Sequence, residues 1–210
     1  MKTKTIIISI LIVLFALISM GQSGCGIDDV AKPKPSPPVG EFQGDSWIPL
    51  ETVFFMGEQR VEKRDDGVYI IFPEFISPDG ISTMSFKDGS ILEATLVNRV
   101  KEGDYVMRVT EADPDTGAPL RGIVKGSGTW EMYTEEGQLI FLGTVQILQR
   151  RYVFNKDGQY VEIQDEVPAP YRGVGVGIYQ GRILEAEATL HMELRNGKPG
   201  VGGPGTGRIQ

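Results

Sequence analysis

Arg182-Ile183-Leu184-Glu185-Ala186-Glu187-Ala188-Thr189-Leu190-His191-Met192-Glu193-Leu194 decides the fold class of this chain. From Leu184 onward every even position is apolar, while Glu185, Glu187, Thr189, His191 and Glu193 occupy the odd ones. A period of two with one apolar face predicts a half-buried antiparallel strand. Ile91–Val100 alternates less cleanly, with Leu92, Ala94 and Leu96 opposite Glu93, Thr95 and Arg99. Leu139–Leu148 is apolar on both faces apart from Gly143, Thr144 and Gln146, which makes it central or covered, with Gly143 marking a bulge or bend.

Turn signals punctuate the rest. Asp66-Gly67, Asp79-Gly80, Asp88-Gly89 and Asp157-Gly158 supply the positive φ that tight hairpins need, and Glu102-Gly103-Asp104 and Glu135-Glu136-Gly137 read as longer turns. Between them the pattern predicts strands at Trp47–Phe55, Val68–Phe72, Ser82–Phe86, Ile91–Val100, Tyr105–Glu111, Gly128–Thr134, Gln138–Leu148, Arg151–Asn155, Tyr160–Val167 and Arg182–Leu194. No apolar stripe of period 3.6 reaches helical length. The expected fold is all-β, an antiparallel up-and-down meander closed or nearly closed into a barrel, with a two-sheet sandwich as the alternative. Ile91–Leu96 echoes Ile183–Leu190, as repeated hairpins or shared strand preferences would both produce.

The 210 residues allow one ordinary domain with flanking segments. The all-β domain is expected over residues 45–195. The Gly- and Pro-rich run from Asn196 to Gly207 offers nothing to bury, so residues 196–210 read as a flexible tail. Before the domain, Lys32-Pro33-Lys34-Pro35-Ser36-Pro37-Pro38 favours extended polyproline II, making residues 25–44 a semi-rigid spacer.

Residues 1–24 read as a signal peptide. Lys2 and Lys4 precede an apolar core from Ile6 to Ile18, shorter than the about 20 residues a spanning helix needs. Cys25 is the single cysteine, which excludes an internal disulfide and points to intermolecular pairing, a free thiol or modification. Ser23-Gly24-Cys25 behind such a leader resembles the lipobox of bacterial lipoproteins. That resemblance implies a diacylglyceryl group on the Cys25 thiol, cleavage between Gly24 and Cys25, and acylation of the new amino terminus. Gln22 departs from it, standing where the family usually has an aliphatic residue, and Ser19-Met20-Gly21 offers a competing cleavage after Gly21. Gly26 rather than Asp after the cysteine implies the outer membrane if the host has two. The partner expected at this end is the lipid bilayer, reached through acylated Cys25.

At the level of architecture the domain resembles small up-and-down barrels, lipocalin-like and allene-oxide-cyclase-like ones included. Gly44-Asp45-Ser46-Trp47 has one residue too many for the Gly-x-Trp that opens a lipocalin.

Charge excludes one partner class. The formal net charge is -7, and loss of Lys2 and Lys4 with the leader leaves -9, which repels nucleic acid. Chemistry-bearing groups are sparse. His191 is the single histidine, placed on a polar strand face. Asp113-Pro114-Asp115-Thr116-Gly117 has Gly117 and Val124 where a calcium loop needs oxygen ligands, so it reads as an acidic turn. Gly126-Ser127-Gly128 and Gly173-Val174-Gly175-Val176-Gly177 lack the third glycine and the helix of a dinucleotide site. Glu185 and Glu187 share a strand face about 7 Å apart, a spacing compatible with glycosidic acid–base work. Trp47, Trp130, Tyr133, Phe141, Tyr152, Phe154, Tyr160 and Tyr179 fill the core or line a cavity for an apolar ligand. The expectation is a non-enzymatic, lipid-anchored envelope protein whose β-domain binds a small apolar ligand. It has no cofactor, metal or catalytic residue. The alternatives are a module for an envelope protein or glycan and, least supported, a hydrolase using Glu185 and Glu187.

Overall fold

The computed structural model describes residues 36–156, 160–164 and 168–210. The leader, Gly24, Cys25 and Lys32-Pro33-Lys34-Pro35 lie outside them, as do Asp157-Gly158 and the end of the strand expected at Tyr160–Val167. Among the described residues there is no α-helix. The strands are β1 (Gly40–Pro49), β2 (Phe54–Phe55), β3 (Arg60–Arg64), β4 (Gly67–Ile71), β5 (Phe75–Phe86), β6 (Ile91–Val100) and β7 (Tyr105–Ala112). They continue as β8 (Pro119–Tyr133), β9 (Leu139–Phe154), β10 (Tyr160–Gln164), β11 (Ala169–Gly175), β12 (Ile183–Ala188), β13 (His191–Arg195) and β14 (Lys198–Ile209).

In chain order β1, β5, β6, β8, β9, β11, β12 and β14 each pair antiparallel with the next. β14 then closes on β1 over ten residue pairs, from Gly40↔Ile209 to Pro49↔Gly200. The fold is therefore a closed eight-stranded up-and-down barrel, not a sandwich. At one end the wall is extended. β7, β4 and β3 continue from the first half of β8, β10 pairs the second half of β9, and β2 pairs the start of β5.

The quoted stretch forms two arms, β12 and β13, on the same partner at constant register: Ala188 faces Gly205 and His191 faces Gly202. Between them Thr189 N–H donates to the Pro204 carbonyl at 3.0 Å, and Pro204 has no N–H to return. Leu184, Ala188 and Leu190 are buried as the alternation predicts, but Leu194 is 73% exposed.

Three expectations are corrected. Residues 196–210 are not a flexible tail, because β14 sits between β12 and β1 and carries the barrel closure. Its glycines are sites of close approach: a Cβ on Gly200 would lie 2.1 Å from Trp47 Nε1, and one on Gly207 would lie 2.5 Å from the Phe42 ring. Its entry is a two-residue Asn196-Gly197 turn with φ of 53° and 78°, the strongest short hairpin signal a sequence offers. With β1 starting at Gly40, the folded domain covers residues 40–210 rather than 45–195. Asp79-Gly80 is not a hairpin either, since β5 runs through it with a bulge between Ser77 and Gly80. Asp66-Gly67, Asp88-Gly89, Glu102-Gly103 and Glu136-Gly137 do lie at reversals, each glycine with positive φ.

Two cores fill the interior. One comprises Phe42, Met84, Phe86, Leu96, Trp130, Met132, Phe141, Tyr179, Leu184 and Ile209, with the 3-10 turn Gly177–Tyr179 packing Tyr179 on Phe141 at 4.7 Å between ring centres. The other, under the extended end, comprises Ile70, Phe72, Val100, Tyr105, Met107, Val124 and Tyr152.

Candidate functional site

Side chains alternate across a strand, so an extra residue in one strand reverses which parity faces inward. That happens twice here. In β9, Gly126 faces Ile147 but Val124 faces Arg150, so the strand takes two residues where β8 takes one. Before the bulge Phe141 and Val145 face the interior; after it Arg150 and Tyr152 do. In β5, Gly80 faces Leu96 but Ser77 faces Asn98, and the inward set passes from Ser77 to Gly80, Ser82, Met84 and Phe86. The two bulges thus bring Arg150 and Ser77 into the barrel beside Asn98, which the unbroken alternation of β6 already turns inward, and all three are buried.

These residues line a cavity of about 160 Å³ between the two cores. Its walls come from nearly every strand around the barrel: Ile48, Phe75, Val100, Val145, Ile147, Leu190, Met192 and Val201, with Tyr105, Tyr152 and Tyr171 among them. Leu50, Val53 and Phe55 cover it, Phe55 packing on Phe75 at 5.5 Å between ring centres while staying 53% exposed. Tyr105 and Tyr152 share a hydrogen bond through their hydroxyls. Tyr171 reaches from Trp130, 6.2 Å between centroids, to the cavity wall. Burial raises its phenol above the usual range, and the Arg150 charge pulls the other way.

The polar groups here are under-satisfied. Arg150 is 4% exposed, and among the described residues its Nη2 has no hydrogen-bond partner; neither has Asn98 Nδ2. No carboxylate among the described residues forms an ion pair with Arg150. Buried donors are ordinarily paired, and a buried guanidinium without a counter-charge costs several kcal/mol. The cavity therefore combines an apolar wall with one uncompensated cation and one amide.

No family model, no curated protein and no solved structure matches the chain. Its function must be read from this geometry alone.

The residues singled out by sequence are not gathered there. Glu185 and Glu187 lie on the barrel's outer wall beside an open groove of about 880 Å³. Glu185 accepts from Arg208 Nη2 at 2.7 Å and lies 3.8 Å from Arg172 Nε, and Arg208, with a smaller contribution from Arg172, holds its pKa below the usual carboxylate range. Lys87, in the turn after β5, and Glu41, Arg208, Glu185 and Arg172, on β1, β14, β12 and β11, form an alternating row of charges in which these five groups offset one another. A carboxylate held ionised this way is a poor general acid. His191 lies 3.4 Å from Glu193 on the surface. Asp113 Oδ1 accepts from the backbone N–H groups of Asp115 and Thr116 and from the Thr116 hydroxyl, which makes the acidic turn self-contained. Among the described residues no cluster of His, Cys, Asp or Glu has metal-site geometry.

Of the predicted aromatics, Trp130, Phe141 and Tyr179 are core, Phe154 packs on the second core, and only Tyr152 lines the cavity. Trp47 is buried against Gly200, with the Arg195 guanidinium 5.8 Å from its ring. Tyr133 bonds Glu131 at 2.9 Å; the Tyr160 side chain is outside the described set. Arg150, Asn98, Tyr105 and Tyr171 were not anticipated. The available signal for Arg150 was a phase change, from apolar odd positions at Phe141, Val145 and Ile147 to apolar even ones at Tyr152 and Phe154.

Proposed function

We propose that this protein is a small-molecule-binding barrel held at a membrane surface by acylated Cys25. The observation that carries the binding role is the cavity between the two cores, walled by apolar side chains and furnished with a few convergent polar groups, the usual make-up of a small-molecule site. Its volume suits one small ligand, near the roughly 150 Å³ that accommodates benzene in an apolar protein interior.

The anchor rests on Ser23-Gly24-Cys25 behind a basic and apolar leader. Two or three acyl chains hold a protein at a bilayer durably, since each buried methylene contributes about 0.8 kcal/mol and one chain alone is marginal. The spacer would then carry the barrel clear of the lipid headgroups, at the outer membrane where the host has two membranes.

Two measurements test the halves separately. Native mass spectrometry of the protein isolated from its host is expected to recover one small organic molecule per chain; repeated recovery of the bare chain contradicts the binding role. Cys25→Ser is expected to release the protein from the membrane fraction and abolish incorporation of labelled lipid. Unchanged membrane retention and labelling contradict the anchor.

A further inference from the structure

We propose that the cavity takes a small monocarboxylate, its carboxylate held by Arg150 and Asn98 and its apolar body lying toward Val145, Ile147 and Met192; this rests on reading the cavity as a ligand site. The β9 bulge turns Arg150 inward to 4% exposure, and Nη2 of that guanidinium and Nδ2 of Asn98 are buried donors without protein partners. Both residues line the same cavity. A donor cation and a donor amide select an acceptor anion. The planar guanidinium fork matches a carboxylate in two parallel hydrogen bonds.

The charge of the ligand follows from the count of cations. Arg150 is the one cationic side chain among the described residues of the lining, so a monoanion is neutralised and a phosphate dianion is left in excess. The remaining lining is dominated by aliphatic and aromatic side chains, which rules out a polyhydroxylated body such as a sugar acid, whose hydroxyls would go unpaired. Cavity size limits the body to on the order of six to ten non-hydrogen atoms, in the range of a short-chain fatty acid or an aryl acetate. The neutral alcohol of equal length would bury the same apolar surface but leave the guanidinium uncompensated, and a site built for one polar group discriminates strongly against a ligand lacking it.

The test is calorimetric titration of the purified protein with hexanoate, hexan-1-ol and benzene at neutral pH. Hexanoate is expected to bind at least tenfold more tightly than hexan-1-ol. Arg150→Met is expected to weaken hexanoate by tenfold or more and leave hexan-1-ol unchanged or improved; Asn98→Leu is expected to weaken hexanoate alone. Equal affinity for hexanoate and hexan-1-ol in the unaltered protein overturns the carboxylate assignment and leaves the ligand cavity standing, as does binding of benzene without hexanoate. Binding of none of the three overturns both. Should Arg150→Met fail to fold, the comparison of acid and alcohol on the unaltered protein still decides.

Discussion

Gly143 and Gly173 face each other across β9 and β11, and Gly143 also faces Trp130 across β8 and β9. A Cβ on Gly143 would stand 2.0 Å from the Arg172 carbonyl oxygen, and one on Gly173 would stand 2.4 Å from the Trp130 ring. The first contact is with backbone and has nowhere to relax, so Gly143→Ala is expected to lose about 3 kcal/mol, the upper end for overpacking. Gly44 is the internal control. Its Cβ would meet the Thr83 carbonyl oxygen at 3.4 Å, an ordinary contact, so Gly44→Ala should be neutral or stabilise by up to about 1 kcal/mol. Urea midpoints of the two variants check both; equal effects would mean that close approach does not explain the glycines. Arg150 leads to the opposite kind of expectation. An unpaired buried guanidinium burdens the ligand-free protein, so Arg150→Met should stabilise it by about 1–4 kcal/mol, the scale found when buried ions are replaced by apolar side chains of similar volume, and so raise its urea midpoint. A midpoint that falls would mean Arg150 is a stabilising member of the core.

β14 is the element on which the barrel depends most, and it is the one whose sequence looks least like a strand. Deleting residues 198–210 removes the partner of β1, β12 and β13 together. The expected outcome is loss of cooperative urea unfolding and of the near-ultraviolet signal of the buried aromatics; a dispensable tail would leave both intact. Its turn makes a milder case. Gly197 holds φ at 78°, so Gly197→Val should cost about 1–2 kcal/mol by the same measurement. The all-β meander was legible because Arg182–Leu194 and Ile91–Val100 state their pairing face locally, through alternation. β14 was illegible because Gly200, Gly202 and Gly207 contribute no side chains of their own, and what stabilises them is Trp47 and Phe42 on a strand some 150 residues earlier. Asn196-Gly197 carried a local signal that its Gly- and Pro-rich surroundings obscured. The cavity was hidden for a different reason. Strict alternation through Phe141, Gly143 and Val145 would point Arg151 inward and Arg150 outward, and only the pairing of Val124 with Arg150 and Gly126 with Ile147 reverses that parity.

Across the whole molecule, carboxylates on the surface and phenols in the core set opposite pH limits to stability. Lys87 lowers the pKa of Glu41 and Arg208 that of Glu185, while hydrogen bonds from Tyr69, from Ser90, and from the Thr116 and Asp115 backbone lower those of Asp66, Asp88 and Asp113. Each folded-state pKa lies below its unfolded value, so each contribution is complete above the unfolded range of about 4 and is lost as pH falls through the folded value. Tyr179 works in the reverse sense. Burial pushes its phenol up to about 12, so the unfolded chain ionises first and stability drops as pH rises beyond about 10. The expected profile of urea midpoint against pH is a plateau from about pH 5 to pH 9 with a falling limb on each side. Tyr179→Phe should flatten the basic limb, since it keeps the ring against Phe141 and removes a hydroxyl that has no partner. The acid limb should respond to salt in part. At 1 M ionic strength, where screening reaches about 3 Å, the exposed pairs of Glu41 and Glu185 lose their share, while the hydrogen bonds that hold Asp88 and Asp113 do not. An acid limb abolished entirely by salt would mean that ion pairs alone set it; one unmoved by salt would mean that the charge row across the barrel wall contributes nothing to stability.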